Sequence, residues 1–378
     1  MPDGSVPSLE EIRELFPITR EWAYFNHANV APVGRHVVEA SRAALDSQAF
    51  GGAHTEHDRE VRREQVRAAA AALIGASLDE VAFVTNTSHG LSLVAAGIPW
   101  DAGDNMVTTA VEYPSNILPW QNLGRFGVEV RLVPGRDGLV YPEDLFAAVD
   151  QHSRVLALSF VEFASGQRND FATIGRFSRE RGIRFVVDAI QGLGALQLDV
   201  EECTVDYLAA GAHKWLLGPQ GVGVLYIRRE RLEELWVSQI GADGMVQSHS
   251  RGAGARFLPS AARFEGGAEN YVGIYGLGAS LDLLNRVGRE QVEARVLSLA
   301  RRLSDGLGAR GYRVTGAREP AQLSGIVSFR SPRHGDQEVQ RVLEKARVYT
   351  VVRPLGVRAS PHFYNSVEEI DRLVEALP

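Results

Sequence analysis

From about residue 60 the sequence alternates helical stretches with short β-rich runs, and this alternation limits the possible folds more than any other feature. A helical pattern from Glu60 to Ile74 precedes the apolar run Val81 to Val84, and another helix is expected from about His89. Further strands are read at Met106 to Ala110, Val128 to Val133, Arg154 to Val161, Arg184 to Asp188, Tyr207 to Ala210 and Gly223 to Ile227. Amphipathic segments such as Phe171 to Arg181 lie between several of them. The pattern predicts an α/β fold with a mainly parallel seven-stranded sheet covered on both faces, and ligands then bind at the carboxyl ends of its strands. Residues 229 to 270 are irregular and Gly-rich, with Gly241-Ala242-Asp243-Gly244 and Arg251-Gly252-Ala253-Gly254, and read as loops over the sheet edge. A helical stretch from about Tyr271 to Leu307 leads into a smaller C-terminal α/β segment, and Ser8 to Glu11 forms a capping box opening a short helix through Phe16.

A chain of 378 residues exceeds what one core usually organises, so two packed regions are expected. The formal charge of −7 argues against an electrostatic grip on nucleic acid or an anionic membrane. No apolar run approaches the ~20 residues that span a bilayer. The start lacks the basic and apolar regions of a secretion signal, and Cys203 is the single cysteine, so the expected location is the cytoplasm.

Of the 40 basic residues only Lys214 and Lys345 are lysine, which leaves 38 arginines. A lysine that persists where arginine serves nearly everywhere else is a candidate for a task arginine cannot perform. An amine can lose its proton and attack a carbonyl, whereas a guanidinium cannot. Lys345 lies in Val-Leu-Glu-Lys-Ala-Arg, a plain helical surface pattern. Lys214 lies in the aromatic-rich turn Gly-Ala-His-Lys-Trp-Leu-Leu-Gly-Pro, just past the strand ending at Ala210.

Three other features fall at carboxyl ends of strands. Thr85-Asn86-Thr87-Ser88-His89-Gly90 opens a helix, where hydroxyls and backbone N–H groups can cup a phosphate. Asp188 closes an apolar strand, with Gln191 three residues on; an acid there is costly unless paired, so a cationic partner or a helix-capping role is expected. Glu112-Tyr113-Pro114-Ser115-Asn116 follows the strand ending at Ala110. Singly, each of these reads as a cap or as packing. Together with Lys214 they describe an aldehyde-bearing nitrogen heterocycle with a phosphate arm, namely pyridoxal 5′-phosphate. That group needs an amine, a carboxylate opposite the ring nitrogen, a stacking side chain and an anion cup.

The chain resembles the class V aminotransferase family, within the fold type I pyridoxal-phosphate enzymes, in the branch of cysteine desulfurases, selenocysteine lyases and isopenicillin N epimerase-like enzymes. The similarity runs from Tyr24-Phe-Asn-His-Ala-Asn to Tyr364-Asn365-Ser366. It is carried by Val187-Asp-Ala-Ile-Gln191, Gly211-Ala-His-Lys-Trp215 with Gly218-Pro, Phe264-Glu-Gly-Gly-Ala-Glu-Asn270 and Arg358-Ala-Ser-Pro-His-Phe-Tyr-Asn365. The resemblance implies a large cofactor domain over 23–270 and a smaller domain over 271–378, with 1–22 packed on the latter. It also implies a homodimer with active sites at the interface, Phe264 to Asn270 reaching the neighbouring subunit's cofactor. By this resemblance Lys214 binds the cofactor and later acts as the base at Cα, and Asp188 keeps the ring nitrogen protonated. Gln191 contacts the ring oxygen and Tyr113 stacks on the ring. Thr87, Ser88 and His213 hold the phosphate, with His89, Gly267 and Ala268 alongside. Arg358 clamps the carboxylate of an α-amino acid substrate, and Asn29 and His54 are further substrate contacts.

The chain also departs from the family. Desulfurases carry a mobile cysteine shortly before the carboxylate-binding arginine, and the corresponding Arg347 to Val357 contains none. Cys203 precedes the strand that Lys214 follows, and at ~3.3 Å per residue the two lie about 20 Å apart. Desulfuration through a persulfide on the enzyme is therefore disfavoured. Gly211 stands where desulfurases often have a phosphate-binding serine, and Ala268 where many have a threonine. Glu162 stands where relatives place an asparagine or another polar residue near the cofactor, and is read as a cofactor contact; it touches the substrate amine or a leaving group, or it pairs with Arg168. His54 and His57 form an H-x-x-H pair without a carboxylate motif, so no metal site is expected.

The resulting expectation is β-elimination of a thiol from a cysteine-derived substrate. Aminotransfer is the first alternative, and epimerisation and decarboxylation start from the same Cα carbanion. A non-catalytic pyridoxal-phosphate-binding or partner-binding protein is the rival from another class. An NAD-dependent dehydrogenase is disfavoured, because Gly218-Pro-Gln-Gly-Val-Gly lacks the G-x-G-x-x-G order.

Overall fold

The computed structural model describes residues 6–246, 256–267 and 269–378. Its first elements are α1 (Leu9–Glu14), β1 (Ala23–Tyr24), α2 (Arg35–Gly51), α3 (Glu56–Ile74), β2 (Val81–Val84), α4 (Thr87–Gly97), β3 (Asn105–Thr109) and α5 (Leu118–Gln121). Next come β4 (Glu129–Val133), α6 (Pro142–Ala147), β5 (Ser153–Ser159), α7 (Phe171–Glu180), β6 (Arg184–Asp188), β7 (Tyr207–Gly211) and β8 (Gly223–Ile227). After the loops follow α8 (Tyr271–Val287), α9 (Arg289–Ala309), β9 (Arg313–Val314), β10 (Val327–Arg330) and α10 (Asp336–Lys345). The chain ends with β11 (Val348–Tyr349), β12 (Val351–Arg353), β13 (Gly356–Ala359) and α11 (Val367–Glu375).

Every residue of β2, β3, β7 and β8 is buried, as expected of strands covered on both faces rather than one. They belong to a seven-stranded sheet of order β2-β8-β7-β6-β5-β3-β4. β8 alone runs against its neighbours, pairing antiparallel with β2 and β7. The carboxyl ends of the other six therefore share one edge. In register, Ser159 at the end of β5 faces Asp188 at the end of β6, which faces Ala209 of β7. A four-stranded antiparallel sheet, β12-β13-β10-β9, lies in the C-terminal part and carries Arg358 on β13.

Some boundaries differ from the sequence expectation for identifiable reasons. α4 starts at Thr87 because Asn86 caps it, its side chain accepting the His89 N–H at 2.9 Å. α3 starts at Glu56, four residues early. The helical stretch after Tyr271 is two helices broken at Gly288, whose φ of +92° an L side chain rarely adopts. β5 ends at Ser159, since Val161 turns back to pair with Arg168. The loops between 229 and 270 contain short 3-10 turns and a Met245–Phe257 bridge; Arg251 to Gly254 lie outside the described residues. The N-terminal segment packs on the C-terminal one: Arg13 pairs with Glu369 at 2.9 Å, and Phe16 stacks on Tyr364. No helix among the described residues is long and apolar enough to cross a membrane.

Candidate active site

Where the sheet's shared edge meets β12 and β13 there is a cavity of about 600 Å³. Thr87, Ser88, Tyr113, Gln191, His213, Lys214, Arg358 and Asn29 all line it, brought together from positions spread over most of the chain. The turn after β7 aims the Lys214 amine at this space. Trp215 is buried behind it, donating its indole N–H to Gln191 Oε1 at 3.2 Å, while His362 Nε2 holds the Trp215 carbonyl at 2.9 Å. Burial is the main force lowering the Lys214 ammonium to about 8, with Asp188 opposing and Arg358 and Arg353 assisting. At neutral pH such an amine is deprotonated often enough to act as nucleophile or base.

Asp188 is 1% exposed, and burial raises its carboxyl to about 6 against the opposing pull of the Ile190 N–H and Lys214. Oδ1 accepts from the Ile190 N–H at 3.0 Å, and Oδ2 has no partner among the described residues. No helix follows β6, so Asp188 is not a cap, and the partner expected for its second oxygen is not supplied by a protein side chain. Gln191 is largely committed to the protein: besides accepting from Trp215, its amide donates to the Ala28 carbonyl at 3.0 Å. Tyr113 is half exposed, edge-on to Phe163 at 5.3 Å, with Lys214 Nζ 5.5 Å from its ring centroid.

At the start of α4, Thr87 Oγ1 accepts the Gly211 N–H at 2.9 Å, and the Ser88 and Ser115 hydroxyls lie 2.7 Å apart. A Cβ at Gly211 would stand 3.2 Å from the His213 ring, so the glycine makes room for that imidazole. Burial and Lys214 lower the His213 pKa. Arg358, 1% exposed, donates from Nη1 to the Phe163 carbonyl at 2.6 Å and leaves Nε and Nη2 without partners among the described residues. Burial, then Arg353, pushes it down to about 9; a guanidinium keeps its proton, so the position calls for an anion.

Other expected residues lie elsewhere. His89 turns away, bonding Gln239 at 2.7 Å, and with Gly267 lines a second cavity of about 320 Å³. His54 sits on an exposed turn between α2 and α3 and is not among the residues lining the Lys214 cavity. Ala268 lies outside the described residues. Glu162 is buried beside Asp188 and accepts from Asn169 Nδ2 at 2.9 Å; Arg168 pairs instead with Glu293 at 2.7 Å. Cys203 sits against Gly175 of α7, off the cavity, and burial raises its thiol to about 11. Sequence reasoning missed Arg353 and Phe163 among the lining residues, whereas Asn86 belongs to the segment read as an anion cup. Arg353 reaches the cavity from β12 and donates to Asn29 Oδ1 at 3.1 Å.

These residues fit pyridoxal 5′-phosphate. An unpartnered buried carboxylate oxygen suits a protonated ring nitrogen, and a desolvated amine suits an aldehyde. The N-terminus of the eleven-residue α4, with Ser88, suits a phosphate.

The chain is 32% identical to the cysteine desulfurase of Cronobacter sakazakii, over 98% of this chain and 97% of that protein. The cystine C–S lyase C-DES in complex with its product cysteine persulfide superposes with a TM-score of 0.87 at 27% identity, covering 95% of this chain and 98% of that one. A C-DES variant with glycine covalently linked to its pyridoxal-phosphate cofactor gives 0.87 at 26%, covering 96% and 98%. The sequence model of the class V aminotransferases matches residues 23–373, and the chain belongs to that family of fold type I, pyridoxal-phosphate-dependent enzymes.

Proposed function

We propose that this enzyme is a C–S lyase that eliminates a thiol from an S-substituted cysteine. One observation carries the choice within the family: the stretch Arg347 to Val357 is a short hairpin that presents Arg353 to the cavity and holds no thiol. Cys203, the only cysteine, is off the cavity with its thiol pushed up, so no sulfur nucleophile stands near Lys214.

Pyridoxal phosphate, when bound, supplies the aldehyde that captures the substrate amine and the ring that accepts the electron pair released at Cα. The protein's own residues do the rest. Arg358 takes the α-carboxylate on its two unpartnered prongs, which fixes the Cα–H bond relative to Lys214. Lys214 removes the Cα proton; the Cβ–S bond then breaks, and sulfur leaves with its electron pair and is protonated to the thiol. Asp188, kept ionised, holds the proton on the ring nitrogen, and Arg353 lines the cavity beside Asn29, a cation available to the departing sulfur group. Hydrolysis of the remaining three-carbon unit yields pyruvate and ammonia.

The division into 23–270 and 271–378 with 1–22 docked on the latter, a cytoplasmic homodimer, and Phe264 to Asn270 facing a second copy belong to the same reading. Within that stretch Gly267 is exposed and available to a second copy, whereas Phe264 is packed in this chain's own core. The test is product analysis with the cofactor-loaded enzyme and a panel of S-substituted cysteines. Thiol and pyruvate in equal amounts are expected; keto acid without thiol would make it an aminotransferase.

A further inference from the structure

Three buried carboxyl groups close neighbouring strands at the site: Glu112 after β3, Glu162 after β5 and Asp188 at the end of β6. Their hydrogen-bond donors are all neutral. Ser159 gives Glu112 its backbone N–H and its hydroxyl, one to each oxygen. Asn169 serves Glu162 Oε1, and the Ile190 N–H serves Asp188 Oδ1. Of the cations around them, Lys214 acts on Asp188, and Arg358 reaches the Phe163 carbonyl next to Glu162. Three negative charges buried together against so little positive charge are forbidden by desolvation and like-charge repulsion, so a proton remains on the trio.

The geometry says where. Glu112 has a donor on each oxygen, while burial first and Glu162 next raise its carboxyl well above the ordinary glutamate range. Asp188 has to ionise to hold a ring nitrogen. Glu162 Oε2 is buried and has no partner among the described residues, so no donor there stabilises its charge. We propose that Glu162 is a positioning residue held as a neutral carboxylic acid, its neutrality allowing Asp188 to carry the local negative charge.

Electrostatics agrees in direction: burial raises Glu162 to about 8, with Asn169 opposing and Asp188 adding. Because the folded chain holds this proton more tightly than the unfolded one, the stability of the neutral form is complete below the ordinary glutamate range. It is lost as pH climbs towards about 8. The test compares apoprotein melting of wild type and Glu162→Gln, a neutral isostere, from pH ~5 to pH ~9. The variant should gain on wild type as pH rises, and the wild-type infrared spectrum should show a protonated-carboxyl carbonyl band that the variant lacks. A difference independent of pH, or no such band, would overturn the proposal. Should the variant not fold, an infrared titration of wild-type apoprotein with isotope-labelled glutamate decides. Burial also raises Glu269 to about 8 and Glu112 above the ordinary range, so the band is assigned by comparison with Glu269→Gln and Glu112→Gln. A carboxyl still ionising near pH ~8 in both supports the proposal, and complete ionisation by pH ~6 overturns it.

Discussion

Arg67 and Arg358 are buried to the same degree, 2% and 1% exposed, and are used in opposite ways. Arg67, on α3, spends all its N–H groups inside the protein: on both oxygens of Glu64, both oxygens of Glu265 and the Val81 carbonyl. Glu265 also accepts the Phe83 N–H, tying the pair to β2. Arg358 gives one bond to the Phe163 carbonyl and has two nitrogens with no partner. The difference separates a charge that closes the fold from a charge that waits for a ligand. Asp188 and Lys214 belong to the second kind, and together the three outline the site.

That contrast can be broken or sharpened by mutation. The largest effect should come from Lys214→Ala, which removes nucleophile and base together. Thiol release should fall by ~10⁴-fold or more. The apoprotein's melting temperature should change little, since removing a desolvated cation beside Arg358 and Arg353 is offset by the loss of the cation that acts on Asp188. Next, Arg67→Ala should cost about 3–5 kcal/mol of stability, because it leaves Glu265 buried and unpaired; denaturant unfolding followed by circular dichroism measures it. A loss below about 1 kcal/mol would put Arg67 on the same footing as Arg358. The smallest of the three is Arg358→Gln, expected to lower kcat/KM by ~10²–10³-fold through two lost charge-assisted bonds. The apoprotein's melting temperature should hold or rise, and a large drop in Tm would erase the contrast.

Much of this was legible in the sequence, and unevenly. The strand alternation gave the large sheet because doubly covered strands are apolar throughout, and β8's reversal left no trace because it is as apolar as its neighbours. Lys214 stood out through the scarcity of lysine, and Asp188 and Arg358 through their local motifs. Arg353 did not, being one of 38 arginines with only a hairpin to direct it. The Arg67–Glu265 pair spans 198 residues, and no local spacing encodes such a contact. His89 and Gly267 adjoin the site in sequence yet share a different cavity, since successive positions at a helix start point in different directions. The free oxygen of Glu162 is a fact of packing alone.

The scarcity of lysine has a consequence for handling the protein. A free aldehyde condenses with any accessible amine, and most proteins offer it dozens. Here Lys214 is nearly enclosed, and the one other lysine, Lys345, lies exposed near the end of α10. Side-chain background labelling by an aldehyde is thus confined to one position per chain, so that chromophore retained through dialysis serves as a direct titre of competent sites in a preparation.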